Sequence, residues 1–343
     1  MISRFPLRAL PGMVAAGTLL LLGKQTLAQP IDIRVHDPVM IREDGTYYLF
    51  TTARGVGVLS SRDMVSWEPR APVFAEPPAW ATRMIPRFRD SLWAPDISYH
   101  DGTYFLFYSA SSFGSNNSAI GVATNTTLDP HDPSFRWVDH GPVVRSVRGR
   151  DLWNAIDPNL VVDEEGSPWL AFGSFWTGIK LVRLADDRLS LAKPEEWYSL
   201  AGRQRYWKLP EETAGDTLSS AIEAPFIFRK SGYYYLFASW DRCCAGPAST
   251  YRIVVGRSNR VTGPYRDREG EDMRFGGGSL VGGGNRAWAG VGHNAAYTFD
   301  NTDYLVFHGY DLSDEGRPKL WIREIEWDSD GWPRVTLEEG AQR

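Results

Sequence analysis

Three carboxylic acids stand within one position of the same point of a repeated sequence pattern and together could perform acid–base chemistry. They are Asp37 in His-Asp-Pro, Asp157 in Ile-Asp-Pro and Glu223 in Glu-Ala-Pro. Acids gathered at one place repel one another unless they share a proton or bind a cation, so function explains such a cluster better than stability. Glycosidic hydrolysis needs one carboxyl group to protonate a leaving oxygen and a second to activate water.

A third acid in the neighbourhood can keep the first one protonated at neutral pH. The residue types alone do not say which acid has which role. For Asp37 and Asp157 a plainer interpretation is open, because Asp beside Pro readily starts a turn. Glu223 fits that interpretation less well, since it lies in an apolar run where an unpaired charge would be unfavourable.

The pattern that carries these acids occurs five times along the chain. Each copy has an apolar strand, a turn at Gly, Asp or Asn, and an aromatic strand that closes on phenylalanine. The closing residues are Phe50, Phe107, Phe172, Phe237 and Phe307. Repeats of this length indicate units that cannot bury an apolar face alone. Five units of four short strands predict an all-β fold, a five-bladed β-propeller.

Aligning the copies predicts which residues meet at the axis, because the first strand of each blade lines the central channel. The residues at the point before proline are Asp37, Ala94, Asp157, Ala224 and Asn294, the last without its proline. The residues one position earlier are His36, Trp93, Ile156, Glu223 and His293. We expect residues 31–35 to pair with the last blade, since an open sheet edge would invite aggregation.

Composition narrows the class of partner. The chain has 343 residues, a net charge of −5 and no basic tract, which disfavours nucleic acid and anionic membranes. Fourteen Trp and fifteen Tyr suit carbohydrate stacking, although propeller cores account for most of them. Residues 1–28 have a basic start, a short apolar run and a small-residue end, which predicts a secretory signal peptide. We expect a secreted or periplasmic protein whose single domain spans residues 29–343.

Several motifs in order carry a family resemblance. They are His36-Asp-Pro, Trp93-Ala-Pro-Asp96, Ser112-Phe-Gly-Ser115, Asn154-Ala-Ile-Asp-Pro158, Gly173-Ser-Phe-Trp176, Ile222-Glu-Ala-Pro225 and Gly292-His-Asn294. The chain resembles the family 43 glycoside hydrolases, five-bladed propellers that act on arabinan and xylan, and most closely their endo-α-1,5-L-arabinanases. The resemblance implies that Asp37 is the general base, that Glu223 is the general acid, and that Asp157 raises the pKa of Glu223 and orients it. It also implies inversion, with acid and base about 6.5–9.5 Å apart.

The same resemblance implies sugar-binding positions. The segments that match the subsites contain Gly114, Asn154, Ala155, Ile156, Ser174, Phe175 and Trp176. Trp93 and Phe113 are candidates for stacking on arabinofuranose rings, or alternatively for packing around the channel.

His293 and the paired cysteines complete the candidate site. In similar arabinanases the histidine helps to hold a metal ion, usually calcium, in the channel beneath the carboxylates. Calcium prefers oxygen ligands, so we expect His293 to be its only direct protein contact. Cys243 and Cys244 are the only cysteines. They form either a disulfide between neighbours or two buried thiols, and both alternatives are open.

The sequence therefore predicts a monomeric, secreted, inverting endo-α-1,5-L-arabinanase that acts on arabinan or arabino-oligosaccharides. An exo-acting arabinofuranosidase or β-xylosidase on the same scaffold is the first alternative. The loops at 70–92 and 193–220 decide between an open groove and a closed pocket. A propeller that binds glycans without cleaving them is the second alternative, and the three acids argue against it.

Overall fold

Five antiparallel sheets form the blades of a propeller in the computed structural model. The model describes Met1 and residues 31–203 and 221–337; the predicted signal peptide and most of the 193–220 loop lie outside the described residues. The innermost strands of the five sheets contact one another in a closed circle. The predicted fold is therefore confirmed.

The strands follow in chain order. They are β1 (Ile31–Arg34), β2 (Val39–Glu43), β3 (Thr46–Thr51), β4 (Ala53–Arg54), β5 (Gly57–Ser61), β6 (Glu68–Arg70), β7 (Ser91–His100), β8 (Thr103–Ala110), β9 (Ser118–Asn125), β10 (Val138–Ser146), β11 (Asn159–Val162), β12 (Pro168–Phe172), β13 (Ile179–Arg183), β14 (Trp197–Ala201), β15 (Ile222–Lys230), β16 (Tyr233–Trp240), β17 (Arg252–Ser258), β18 (Ser279–Gly282), β19 (Trp288–Phe299), β20 (Thr302–Asp311), β21 (Arg317–Glu324), β22 (Glu326–Trp327) and β23 (Pro333–Arg334).

Helical structure is sparse within the described residues. An α-helix, α1, spans Ala79–Met84 in the long connection after blade one, and short 3₁₀ turns span Gly246–Ala248, Met273–Phe275 and Leu312–Asp314. No helix in the described part of the chain is long and apolar enough to cross a bilayer.

Each blade is a meander from the channel outward. Blade one is β2-β3-β5-β6, blade two is β7 to β10 with β4 added beside β7, blade three is β11 to β14, and blade four is β15 to β18. Blade five is β19-β20-β21 and takes β1 as its outer strand. Ile31 pairs with Leu320, which confirms the predicted closure by the N-terminal strand.

Tight turns between the inner strands keep the repeat in register. Asp44 and Gly45 join β2 to β3 with φ of 45° and 75°, and Asp300 and Asn301 join β19 to β20 with φ of 50° and 65°. Two-residue hairpins of this type need positive φ at both positions, which Gly, Asn and Asp adopt most readily. The turn residues in the repeat are therefore what connects each apolar strand to its aromatic neighbour.

The hydrophobic cores lie between neighbouring blades. Phe107 and Phe172 are buried together between blades two and three, and Met40 and Leu320 between blades one and five. A single sheet would leave one apolar face in water, whereas sheets packed around an axis cover both faces. This packing is the physical reason for the repeat.

A buried acid in β7, Asp96, ties three inner strands together. Its carboxylate accepts the Leu160 N–H at 2.7 Å and the Asn159 side-chain amide at 3.3 Å. The Asn159 oxygen accepts the N–H of Ile227 in blade four at 2.8 Å. Burial raises the pKa of Asp96 to about 7, although both hydrogen bonds favour its charged form.

Asp96 should make the propeller less stable as the pH rises. The unfolded carboxyl loses its proton near 3.8 and the folded one near 7, so the folded state binds more protons between these values and the unfolding free energy falls through that window. Asp96→Asn removes this titration. Relative to wild type, the variant should gain up to about 4 kcal/mol of unfolding free energy in urea between pH 4 and pH 8. A difference that is constant over this range would contradict the raised pKa.

Candidate active site

Five residues with left-handed backbone stand at equivalent points of the five inner strands, either within the strand or two residues before it. They are Asp37, Ala94, Asp157, Ala224 and His293, with φ of 54°, 43°, 59°, 56° and 51°. Residues other than glycine rarely adopt this conformation, and they cluster at functional sites. The equivalent positions of the repeat thus converge at one end of the channel, where two of the three acids belong to this set.

In blade five the predicted alignment is wrong by one residue. His293, not Asn294, has the left-handed backbone, and Gly292 pairs with His308 as Trp93 pairs with Ser109. The alignment was anchored on Phe307, but Val306 is the residue that pairs at the matching point. No proline marks the turn in this copy, so the sequence lacked the signal that fixed the other four.

Asp37 is a buried carboxylate held by three donors. Its Oδ1 atom lies 2.8 Å from His36 Nδ1 and 3.0 Å from His293 Nδ1, and its Oδ2 atom accepts the Thr52 hydroxyl at 2.5 Å. Burial raises the pKa of Asp37, but His293 and His36 outweigh burial and hold it well below its usual value. Because a carboxylate has about four lone-pair positions, one position on Oδ2 is left to take a proton from water.

Tyr310 fixes the ring of His36. Its hydroxyl lies 2.9 Å from His36 Nε2 and accepts the N–H of Cys244 at 2.8 Å. It also accepts from Nε2 of His308 at 3.2 Å, since Nδ1 of that ring accepts the Asp37 N–H. When His36 is neutral and donates from Nδ1 to Asp37, its Nε2 atom can only accept a hydrogen bond. The Tyr310 hydroxyl is placed to donate that bond.

Cys243 and Cys244 form a disulfide between adjacent residues. Of the two alternatives that the sequence left open, the structure has the bonded one. The Cys244 sulfur lies 3.8 Å from His36 Nε2. The disulfide therefore borders the residues that position Asp37.

Asp157 and Glu223 form a buried pair of acids. Asp157 Oδ2 accepts the N–H of Ala224 at 3.1 Å, and Glu223 Oε2 accepts the Ser174 hydroxyl at 2.7 Å. Burial raises the pKa of both groups, and the nearby charge of Glu223 raises that of Asp157 further, while Ser174 and Tyr251 partly offset the rise for Glu223. Burial and mutual repulsion therefore favour the protonated form in this pair, whereas the two histidines favour the ionised form of Asp37.

His293 supplies the positive charge among the three acids. Burial alone lowers its pKa, but Asp37, Asp157 and Glu223 raise it to about 9. The imidazole is therefore protonated at neutral pH in the absence of a metal. Its Nδ1 atom is occupied by Asp37, and Nε2 has no hydrogen-bond partner within the described residues. A histidine that gives one nitrogen to a carboxylate and keeps the other free fits a metal ligand.

A second group of ligand-type atoms belongs to His36, Asp37 and His308, which lie within 4.8 Å of one another. The backbone N–H of Asp37 occupies His308 Nδ1, and Asp37 occupies His36 Nδ1. Hydrogen bonding alone explains this group, so His293 is the better candidate for the predicted ion.

The predicted sugar-binding residues divide by exposure. Phe113 is 80% exposed and Trp176 is 37% exposed, while Trp93 and Phe175 are half-buried. These aromatic rings are available to a ligand. Gly114, which follows Phe113, is exposed as well.

The remaining predicted sugar-binding side chains are buried. Asn154 accepts the Ser118 hydroxyl at 2.7 Å, and Ala155 packs between blades two and three. Ile156 is 8% exposed, and Ser174 is committed to Glu223. A sugar can reach these residues only through backbone atoms or at their edges.

Sequence reasoning missed the residues that hold the acids. They are Thr52, Ser109, Ser239, Tyr251, His308 and Tyr310. Thr52, Ser109 and Ser239 each stand two positions after the closing phenylalanine of their copy. That repeated hydroxyl could have been predicted from the alignment of the copies. The sequence around Tyr251 and Tyr310 contains no pattern that predicts their contacts with the site.

One buried acid with a lowered pKa beside two acids with raised pKa values supplies the groups that a glycoside hydrolase needs. The model for Glycosyl hydrolases family 43 matches residues 28–333. The chain belongs to this family.

Curated relatives and solved structures agree with this assignment. The extracellular exo-α-(1→5)-L-arabinofuranosidase of Cellvibrio japonicus is 52% identical over 90% of this chain and 88% of its own. The extracellular endo-α-(1→5)-L-arabinanase 1 of Bacillus subtilis is 43% identical over 87% of each. The structure of the Cellvibrio cellulosa α-L-arabinanase complexed with arabinohexaose is 51% identical, with a TM-score of 0.86 over 90% of this chain and 96% of its own.

Tyr310→Phe should free the His36 ring and slow catalysis. Without the hydroxyl, nothing in its place donates to Nε2, so the His36 proton no longer stays on Nδ1 facing Asp37. We expect ¹⁵N chemical shifts to show mixed tautomers and kcat to fall roughly tenfold, as for other residues that orient a functional histidine. Tyr297→Phe is the control, since its hydroxyl accepts the Met40 N–H outside this network. Wild-type shifts and rate in Tyr310→Phe would remove the residue from this role.

Proposed function

We propose that this protein is a secreted, inverting hydrolase of α-1,5-linked L-arabinan that cuts internal bonds. The single observation that carries the proposal is the contrast between two kinds of buried acid. Asp37 is held by two histidines and a threonine, which lower its pKa, whereas burial raises the pKa of Asp157 and of Glu223. An acid and a base coexist within one buried site. The arabinan substrate rests on the names of the relatives and on the arabinohexaose bound in the Cellvibrio structure.

The form that each acid favours supports the following roles. Glu223 gives its proton to the leaving oxygen as the glycosidic bond breaks, and water attacks the anomeric carbon while Asp37 takes its proton. Asp157 accepts the Ala224 N–H next to Glu223. We propose that Asp157 is the charged member of the pair while Glu223 carries the proton, because two neighbouring carboxylates disfavour a second negative charge. An inverting mechanism needs room for a water between Asp37 and Glu223.

Exo action is the second candidate. It is favoured by the relative with 52% identity, whose name is exo-acting, whereas the relative with 43% identity is named endo. Both modes use the same acids, so the difference lies in how far the sugar chain extends on each side of the bond.

Location and assembly form part of the proposal. Export is supported by the basic and apolar start of the sequence and by two relatives named extracellular. The disulfide suits an oxidising compartment. We also propose a monomer, because one copy of the chain suffices to supply the three acids and the donors that hold them.

Digestion of linear arabinan decides the mode of action. An endo enzyme should release mixed oligosaccharides and lower the viscosity quickly, because one internal cut halves a chain. An exo enzyme should release a single small product and lower the viscosity slowly. Both can be followed in one reaction by chromatography and viscometry. Failure to cleave either arabinan or its oligosaccharides would refute the proposal.

Glu223→Gln is the control for that reaction. The amide keeps the size and the hydrogen-bond acceptor but cannot donate a carboxyl proton, so kcat should fall by about 10²–10⁴-fold while oligosaccharide binding stays within a fewfold of wild type. Binding without cleavage in the wild-type protein would instead support the glycan-binding alternative.

A calcium ion in the channel is a further part of the proposal. His293 would hold it through Nε2, with water completing the oxygen ligands that calcium prefers. A bound ion would supply positive charge to the buried acids without activating the water. Asp37 would still accept the Nδ1 proton and fix the direction of the ring.

Removal of the ion should weaken the fold. EDTA should lower the Tm of wild type by several degrees, and calcium at a hundredfold excess over its Kd should restore about 3 kcal/mol of stability. In His293→Gln neither addition should shift the Tm, because the nitrogen ligand is gone. A wild-type Tm and activity that ignore EDTA would show that no chelatable ion is bound.

A further inference from the structure

Backbone N–H groups at the channel mouth are shared between neighbouring blades. At four of the five blade junctions, the N–H of the left-handed residue donates to a side chain on the second strand of the preceding blade or just after it. These bonds are Ala94 to Thr52 at 2.8 Å, Asp157 to Ser109 at 3.0 Å, His293 to Ser239 at 2.8 Å and Asp37 to His308 at 3.2 Å. The acceptor is a hydroxyl in three blades and a histidine nitrogen in the fourth.

The junction between blades three and four departs from this rule because the acceptor position is a glycine. Gly173 donates its N–H to the Ile156 carbonyl at 2.9 Å, just as Thr52 donates to the His36 carbonyl at 3.0 Å. The two positions are therefore equivalent, and Gly173 has no side chain to offer.

The geometry at Gly173 excludes a side chain. Its φ is +135°, and an added Cβ would lie 2.6 Å from the Gly178 carbonyl oxygen, closer than van der Waals contact allows. Because Gly173 has no side chain to accept it, the N–H of Ala224 donates to Asp157 Oδ2 instead.

The chain beyond Gly173 crosses to blade four instead of ending at the channel. Ser174 pairs through its backbone with Glu223, and Phe175 donates its N–H to the Ile222 carbonyl at 2.8 Å. This crossing brings the Ser174 hydroxyl to Glu223 Oε2 at 2.7 Å. Both side chains are almost completely buried, so no open solvent competes for the bond.

We propose that Ser174 is a positioning residue for the general acid, and that its hydroxyl holds Glu223 Oε2 so that the proton is carried on Oε1. The inference rests on the proposed function. When the proton moves from Oε1 to the leaving oxygen, the electrons of the broken glycosidic bond stay with that oxygen and the negative charge appears on the Glu223 carboxylate. Oε2 shares this charge and already accepts the hydrogen bond of the Ser174 hydroxyl.

The hydrogen bond is useful because it strengthens during the reaction. A hydroxyl bonds an ionised acceptor roughly twice as strongly as a neutral one, so Ser174 stabilises the developing carboxylate more than the starting acid. An interaction that grows toward the transition state raises kcat, whereas one of constant strength does not. A sugar contact through Ser174, as the sequence predicted, would change KM instead.

The test compares Ser174→Ala with Ser174→Thr, which keeps the hydroxyl. Each is assayed on an arabino-oligosaccharide and on a 2,4-dinitrophenyl glycoside of the same sugar chain. Ser174→Ala should lower kcat on the oligosaccharide roughly 10-fold or more with little change in KM. It should barely affect the dinitrophenyl glycoside, whose leaving group departs without a proton. Ser174→Thr should recover most of the loss.

Ser258→Ala is the matched control, because it removes another buried serine hydroxyl, which accepts the Arg260 N–H away from the acids. It should keep the wild-type rates on both substrates. Equal losses on both substrates in Ser174→Ala, or a rise in KM alone, would overturn the positioning role.

A readout without turnover separates this inference from the proposed function. If wild type cleaves no arabino-oligosaccharide, the proposed function fails, and the Ser174 contact is then tested by ¹³C NMR of the Glu223 carboxyl. Loss of a donor to the charged form should move its titration to higher pH in Ser174→Ala. Identical titration in wild type and variant would refute the contact.

Discussion

Three carboxyl groups buried around one imidazole are the constraint to which the rest of the site responds. Charges without partners are unfavourable away from water, so each acid must be supplied with donors or keep its proton. Asp37 receives two histidines and a threonine, and these donors lower its pKa, while Asp157 and Glu223 receive fewer donors and have raised pKa values. The pKa values of the three acids shift in different directions because the donors around them differ.

The propeller makes this arrangement possible by repetition with small departures. Left-handed turns recur in five inner strands, so side chains far apart in the chain arrive at one place. Four junctions use a side chain as the common acceptor, and the fifth has Gly173. Gly173 lies at the blade junction where Asp157, Ser174 and Glu223 meet. The proposed general acid therefore stands at one side of an otherwise regular ring.

The sequence predicted the features that repeat. Five closing phenylalanines indicated five blades because each sheet needs a neighbour, and the pre-proline positions brought Asp37 and Asp157 together. It failed at His293, where the proline that marks the turn is missing. It could not find the Tyr310 hydroxyl or the direction of the Ser174 side chain, because these depend on contacts between distant segments. Sequence periodicity predicts only the features that the blades have in common. The contacts of Asp157 and Glu223 depend on Gly173, the position at which blade three lacks the side-chain acceptor of the other four blades.

The pairing of β1 with β21 has a consequence for how the chain reaches its final form. Ile31 and Leu320 are partners although almost the whole described chain separates them. Until they meet, the outer edge of blade five stays unpaired and is open to other strands. Contacts between residues so far apart in sequence form slowly. Because Leu320 lies near the end of the described chain, a ribosome must also make nearly the entire polypeptide before blade five can be completed. Removal of the β1 segment would leave blade five a strand short and prone to self-association.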